Sequence, residues 1–156
     1  MKIVFMGTPT FGREILKCLH QNGYDVVLAV CQPDKYVGRK HVLTSCEVKQ
    51  YCIENNIEVF QPVKIREDYS RVLQVNPDLI VTCAYGQIIP KIILNKCKCI
   101  NVHASLLPKL RGGAPIQHAI IDGYDTTGIT IMEMSNKMDA GDIISQAAID
   151  IDINDT

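Results

Sequence analysis

Short runs of β-branched and other apolar residues alternate along the chain with stretches of helical periodicity. The apolar runs are Lys2–Gly7, Val26–Gln32, Glu58–Gln61, Asp78–Tyr85 and Cys99–Ala104. Helical patterns lie near Thr10–Gln21, Ser45–Asn55, Glu67–Val75 and Lys91–Asn95. Strands that are apolar on both faces and separated by helices predict a parallel sheet covered on both sides. The expected fold is therefore α/β, a doubly wound and mostly parallel sheet. Beyond residue 113 the pattern changes. Ala114–Asp122 reads as a helix ended by Gly123. Gly128–Met134 and Asp142–Ile151 read as two long strands whose connection is too short for a helical crossover. They are expected to pair antiparallel and add an antiparallel edge.

Composition narrows the classes. The 156 residues suit one domain, and 47% hydrophobic residues can build its core. The net charge of -1 calls for neither nucleic acid nor membrane across the whole surface, so any nucleic-acid contact must be a local patch. No apolar run approaches the ~18 residues of a membrane span. MKIVFMG begins directly as a strand, without the apolar region and cleavage site of a signal peptide. A cytoplasmic protein with no membrane partner is expected. The seven cysteines are scattered. Cys31, Cys83 and Cys99 sit in apolar runs, where a thiol packs as a small hydrophobe. Cys97 and Cys99 are two apart and would share a strand face, but this is not a C-x-x-C knuckle and no second pair answers it. Buried reduced thiols are the favoured reading, a zinc site the alternative; no metal is expected.

The turn after the first strand is Gly7-Thr8-Pro9-Thr10-Phe11-Gly12. A dinucleotide fingerprint needs G-x-G-x-x-G, and Pro9 stands where the second glycine belongs. A phosphate-binding P-loop needs Gly-Lys-Ser/Thr, but Arg13 and Glu14 follow Gly12. What remains is a tight strand-to-helix turn, with Pro9 near a helix start where it is tolerated.

The densest polar cluster closes the fifth strand: Asn101-Val102-His103-Ala104-Ser105. Strand alternation puts Asn101 and His103 on one face, near the carboxyl end where open α/β sheets bind ligands. Leu106-Leu107-Pro108 and Lys109-Leu110-Arg111-Gly112-Gly113 follow as a loop. Its leucines are expected either to wall an apolar ligand or to plug the sheet end. Asp139, in the turn Asn136–Asp142, could reach the same place. Amide, imidazole and carboxylate together would make an acyl-transfer site: the amide stabilises an oxyanion, the imidazole moves a proton, and the carboxylate orients or charges the imidazole. The alternative is a structural strand histidine and an ordinary turn aspartate.

The run NVHASLLPKLRGGAPIQ over residues 101–117 resembles the signature of the 10-formyltetrahydrofolate-dependent formyltransferases. The strand TGITIMEM (127–134) and the Asp-Ala-Gly-Asp turn at 139–142 stand in the family's order. FMGTPTFG (5–12), CQPDK (31–35), FQPVKIR (60–66) and TCAYGQIIPK (82–91) resemble the family's methionyl-tRNA branch. The glycinamide ribonucleotide branch begins with a different Gly-Ser-rich loop, and the sugar-nucleotide branch lacks the Gln-Pro-Asp motif. Leu110 departs from the pattern, since the family usually carries an aromatic residue between Lys and Arg.

The resemblance implies a Rossmann-like formyltransferase fold and transfer of a formyl group from 10-formyltetrahydrofolate, the donor substrate, to initiator methionyl-tRNA. It implies that Asn101 and His103 donate hydrogen bonds to the developing oxyanion and that Asp139 assists the proton transfer. It places a slot for the reduced folate along Ser105, Leu106, Leu107 and Pro108 and beside Ala84, Tyr85, Gly86, Gln87 and Ile88. In residues 35–49, Lys35, Arg39, Lys40 and Lys49 face Glu47 alone, and Gly38 with poor periodicity reads as a mobile loop. In the tRNA branch such a loop grips the acceptor stem, so Lys35, Arg39 and Lys40 are candidate tRNA contacts; the alternative is an ordinary solvated loop. Ile153-Asn154-Asp155-Thr156 carries helix-start residues with no helix behind them. A truncated catalytic domain, 1–156, is expected, lacking the last helix and the C-terminal β-barrel that the resemblance implies. Other functions left open are formyl transfer to another amine, such as an amino sugar or glycinamide ribonucleotide, and a non-catalytic folate- or tRNA-binding fragment.

Overall fold

The computed structural model describes residues 1–135 and 137–155. Asn136, at the start of the expected turn, and Thr156, in the expected helix start, lie outside the described residues. The chain divides into two compact units, Met1–Cys99 and Ile100–Thr156.

The first unit is built on a parallel sheet. Its strands are β1 (Lys2–Gly7), β2 (Asp25–Val30), β5 (Val59–Phe60) and β6 (Leu79–Cys83). They lie in the order β5-β2-β1-β6, every pair parallel. In β1, Ile3, Val4, Phe5 and Met6 are all buried, as a strand covered on both faces requires. Helix α1 (Thr10–Gln21) packs on β1, β2 and β6 and turns Gly12 and Leu16, one helical turn apart, inward. Pro9 precedes it in extended geometry, so the glycine-rich turn is a strand-to-helix turn. Helix α2 (Glu47–Glu54) buries Val48 and Cys52 at the same spacing. Two shorter helices, α3 (Ser70–Gln74) and α4 (Lys91–Leu94), lead into β6 and into β7 (Lys98–His103).

In the second unit, β7 pairs antiparallel with β8 (Thr126–Glu133), and β8 with β9 (Ile143–Asp150), as the short connection required. Helix α5 (Pro115–Ile121) packs on β8, and Gly123 follows it at a φ of 68°. All residues of β9 are exposed, Ile143, Ile144 and Ile149 among them.

Two expectations are corrected. Residues 35–44 are not an irregular loop but an antiparallel hairpin of β3 (Lys35–Val37) and β4 (Val42–Thr44). Its strands are three residues each and wholly exposed, so neither length nor alternation marks them in the sequence. Lys49 lies outside the hairpin, on α2, with its ammonium 2.6 Å from the Asp34 carboxylate, so it is not an unpaired cation. Cys97 precedes β7 and does not share a strand face with Cys99; its thiol donates to the Pro77 carbonyl at 3.3 Å. The cysteines are all free, and burial pushes Cys83 and Cys99 up to about 12.

The join of β1 to α1 depends on a missing side chain. A Cβ on Gly7 would lie 2.7 Å from the Cys83 carbonyl oxygen and 2.7 Å from the Phe5 ring, both buried. Gly7→Ala should therefore cost about 2 kcal/mol of stability through overpacking. Urea denaturation of the two chains measures it; equal midpoints would mean that the strands do not approach this closely.

Candidate active site

The second unit brings the polar groups of the 101–105 run together. Asn101 and His103 alternate along β7, opposite Met132 and Thr130 of β8. His103 is 7% exposed, and Asp139, in the β8–β9 turn at a φ of 46°, is 13% exposed at its side chain. Asp139 Oδ1 accepts from Asn101 Nδ2 at 3.5 Å, and its Oδ2 lies 3.8 Å from His103 Nδ1. Its shortest bond is to neither: the Gly112 N–H donates to Oδ2 at 2.8 Å. The expected amide, imidazole and carboxylate thus converge, with the loop backbone as a fourth member. On its other side His103 places Nε2 2.9 Å from the Leu110 carbonyl oxygen. As the nearer acceptor, that carbonyl assigns the proton of the neutral ring to Nε2.

The loop between β7 and α5 is fixed by hydroxyls. Ser105, fully buried, donates through Oγ to the Lys109 carbonyl at 2.7 Å. Thr130, also buried, donates to the Ser105 carbonyl at 2.6 Å and accepts from the Leu107 N–H at 3.1 Å. Gln146 of β9, opposite Thr130, donates to the Thr130 hydroxyl at 2.8 Å and to the Leu107 carbonyl at 3.0 Å. Leu107 is buried, and Leu106 lies against Gly128, where a Cβ would come within 2.7 Å of Leu106 Cδ2. Of the expected slot residues here, Ser105 and Leu107 are internal anchors, Leu106 is half-buried, and only Pro108 is exposed. The leucines plug the strand end more than they wall an open site. Leu110, Arg111, Gly113, Pro115 and His118 line a cavity of about 210 Å³ on this loop.

The segment 84–88 belongs to the first unit. Tyr85 is 4% exposed, with its ring inward and its phenol pushed up by burial, so it is not a wall of an open slot. Its carbonyl accepts from Gln32 Nε2 at 3.0 Å and Thr8 Oγ1 at 3.3 Å. Ala84 and Gly86 hold positive φ on either side, which turns that carbonyl out of the strand path. Gln87 ties the segment to residues 62–65: its Oε1 accepts from the Ile65 N–H at 2.8 Å and its Nε2 donates to the Val63 carbonyl at 3.2 Å. Beside it, Gln32, Val63, Lys64, Ile65, Arg66, Gln87 and Ile88 line a cavity of about 360 Å³. Ile88, 79% exposed, is its open apolar wall.

Lys35, Arg39 and Lys40 are all exposed on the hairpin, Arg39 and Lys40 within the turn that His41 N closes on the Gly38 carbonyl at 3.2 Å. Tyr36, 69% exposed, stands between them and was not singled out by charge. Thr130 and Gln146 were missed as well. The only signal was a hydroxyl among the inward positions of β8, where Gly128 and Met132 are the buried neighbours.

Thr130→Val keeps the shape but leaves the Leu107 N–H without its acceptor. It should cost about 2 kcal/mol by urea denaturation, the usual cost of a buried orphaned donor. A variant as stable as the parent would show that the loop does not hang on this hydroxyl.

The comparisons with known proteins agree with this architecture. A family model described as formyl transferase matches residues 1–156. A methionyl-tRNA formyltransferase of Bacillus mycoides (strain KBAB4) is 56% identical over 160 residues, covering 100% of this chain and 51% of that protein. One of Lysinibacillus sphaericus (strain C3-41) is 54% identical over 157 residues, covering 98% and 50%. A solved phosphoribosylglycinamide formyltransferase from Bacillus Halodurans superposes with a TM-score of 0.80 at 21% identity, covering 100% of this chain and 83% of its own, and shows the shared fold. The chain spans about half the length of the curated relatives it matches. With a family match from end to end and relatives more than half identical across it, the chain belongs to the formyl transferase family.

Proposed function

We propose that this chain carries the formyl-transfer centre of a methionyl-tRNA formyltransferase, moving the formyl group of 10-formyltetrahydrofolate to the amino group of initiator methionyl-tRNA. The observation that carries this reading is the meeting of Asn101, His103 and Asp139 at the end of β7. The high identity to proteins of that name supports it.

The bound folate would supply an activated formyl carbon. His103 Nε2 already bonds a carbonyl oxygen, that of Leu110, so the same donor suits the formyl oxygen as negative charge builds on it. The Leu110 carbonyl then yields its place. Asn101, on the same strand face, supplies a second amide donor. Asp139 Oδ2 is engaged by the Gly112 N–H, while Oδ1 has the long contact to Asn101 and would take the proton that the attacking amine gives up and pass it to the departing folate nitrogen. The carboxylate also stabilises the ring when both imidazole nitrogens carry protons. No covalent enzyme intermediate is needed in this reading, so the cysteines can stay passive.

For the folate itself, the 360 Å³ cavity is of small-molecule size. Exposed Ile88 and Val63 suit a flat ring, and Lys64 and Arg66 suit an anionic tail. Ala84 and Gly86 shape this segment through their backbone, and Gln87 holds the cavity wall. In the second unit, Ser105, Leu106, Leu107 and Pro108 are separate candidate folate residues, on the loop that follows β7. Lys35, Arg39 and Lys40, with Tyr36 between them, suit phosphates and an unpaired base of the acceptor end.

The test is mass spectrometry of methionyl-tRNA after incubation with 10-formyltetrahydrofolate and the protein. His103→Ala and Asp139→Asn should each lower turnover by at least ~100-fold, the scale of lost acid–base or oxyanion help, while folate binding persists. Near-normal turnover in either variant, or formylation of an amino sugar or glycinamide ribonucleotide in place of the tRNA, overturns the reading.

Arg39→Gln combined with Lys40→Gln should weaken tRNA binding and lower its salt slope by about 2, one for each lost phosphate contact. Formylation of a small amine surrogate should hardly change. An unaltered salt slope in a filter-binding titration would remove the hairpin from the tRNA contact.

A further inference from the structure

The loop between β7 and α5 carries a cavity to which the chemistry above gives no role. Leu110, Arg111, Gly113, Pro115 and His118 line it, and its volume is about 210 Å³. Pro115 and His118 are three apart on α5 and share one helix face. The backbone turns sharply on both sides of Arg111 and Gly113: Leu110 and Ala114 hold φ of 54° and 57°, and Gly112 one of 90°. Left-handed backbone is uncommon at residues other than glycine, and such strain clusters at ligand sites. The cavity also adjoins His103, since the carbonyl oxygen of Leu110, one of its walls, lies 2.9 Å from His103 Nε2.

We propose that this cavity holds the phosphate and ribose of the acceptor's terminal nucleotide, with Arg111 and His118 on the phosphate. The proposal rests on the reading of the acceptor as methionyl-tRNA. Among the described residues, no carboxylate lies within ion-pair distance of the exposed Arg111 guanidinium. Its charge and its fork of donors are therefore on offer to an oxyanion. His118 sets Nδ1 3.8 Å from the Asp122 carboxylate, and no hydrogen-bond partner among the described residues takes Nε2. A phosphate reached by Nε2 thus has the carboxylate on the opposite nitrogen. Leu110 and Pro115 give a sugar ring an apolar wall.

Size narrows the occupant further. The cavity is smaller than the about 300–1,000 Å³ that takes a whole drug-sized ligand, so the base stays outside. In an aminoacyl-tRNA the reacting nitrogen is joined to the terminal phosphate through one ester and one ribose. A phosphate held beside Leu110 therefore keeps that nitrogen on a short tether from His103, which makes the attack effectively intramolecular. Gly113 offers a way to close the cavity. A Cβ there would meet nothing within 4 Å, and its φ lies outside the left-handed region, so a side chain can enter without displacing a neighbour.

The experiment titrates adenosine 5′-monophosphate into the chain and follows the imidazole signals of its four histidines by NMR. The His118 signal should shift to saturation, and that of His20, on α1, should stay. Arg111→Gln should weaken binding at least ~10-fold, the scale of a lost charge-assisted hydrogen bond. Gly113→Leu should abolish binding and leave the urea midpoint unchanged. Inorganic phosphate should shift the same signal with lower affinity, and p-aminobenzoylglutamate, the anionic tail of a folate, should not shift it. In turnover, Arg111→Gln should raise KM for methionyl-tRNA and leave KM for the folate as it was. The proposal is overturned by a His118 signal that does not saturate, by equal affinity in Arg111→Gln, by a shift with p-aminobenzoylglutamate, or by a rise in the folate KM alone. The titration needs no turnover, so a chain that binds the nucleotide here but formylates another amine counts for the site and against the tRNA reading.

Discussion

One buried hydroxyl, that of Thr130, holds the second unit's functional end in place. It sits where β8 faces β7 and β9, and bonds the Ser105 carbonyl, the Leu107 N–H and the Gln146 amide together. Each of those groups is a backbone or side-chain dipole that would cost free energy if buried alone. By meeting all three, Thr130 sets the direction in which the chain leaves β7. That direction brings the Leu110 carbonyl to His103 and the Gly112 N–H to Asp139. Asn101, His103 and Asp139 are therefore positioned less by one another than by a loop pinned from below.

The strands and long helices were legible in the sequence because their burial is expressed in period. β1 is apolar throughout, and α1 turns Gly12 and Leu16 inward at one-turn spacing. Asn101 and His103 could be placed on one face because strand alternation leaves no other choice. Periodicity says nothing of whether Asp139 joins them, since a turn of positive φ and a backbone N–H from Gly112 decide its position. Backbone partners carry no residue-type signal. The same holds for Gln87, whose spacing from 62–65 is invisible until the two segments pack.

The hairpin failed to show for the opposite reason. Its residues bury nothing, so hydrophobic periodicity had no face to report. An isolated two-stranded hairpin is marginal in water, and the cross-strand pairs of this one are Lys35–Thr44, Tyr36–Leu43 and Val37–Val42. What keeps it in register lies at its base: the Lys49–Asp34 ion pair and the Gln61 bonds to Gln32 and Asp34. The Gln61 amide bond foremost, and the Lys49 ammonium after it, hold Asp34 below the usual carboxylate range. Lys49 thus serves the stem of the hairpin, while Lys35, Arg39 and Lys40 are left on its arms.

This division of labour follows from what each element must do. The proposed proton transfer and charge stabilisation need groups held to fractions of an ångström, and the candidates sit on β7 and beside a loop tied by Ser105, Thr130 and Gln146. The proposed contact with a large polyanion would need reach and exposed charge, and the exposed Lys35, Arg39 and Lys40 of the hairpin offer both. The loop after β7 is tied by buried hydroxyls and amides, whereas the exposed arms of the hairpin are tied only at their base, by the Lys49–Asp34 ion pair and the Gln61 amide. A looser β7 loop would release the Gly112 N–H that holds Asp139 beside Asn101 and His103.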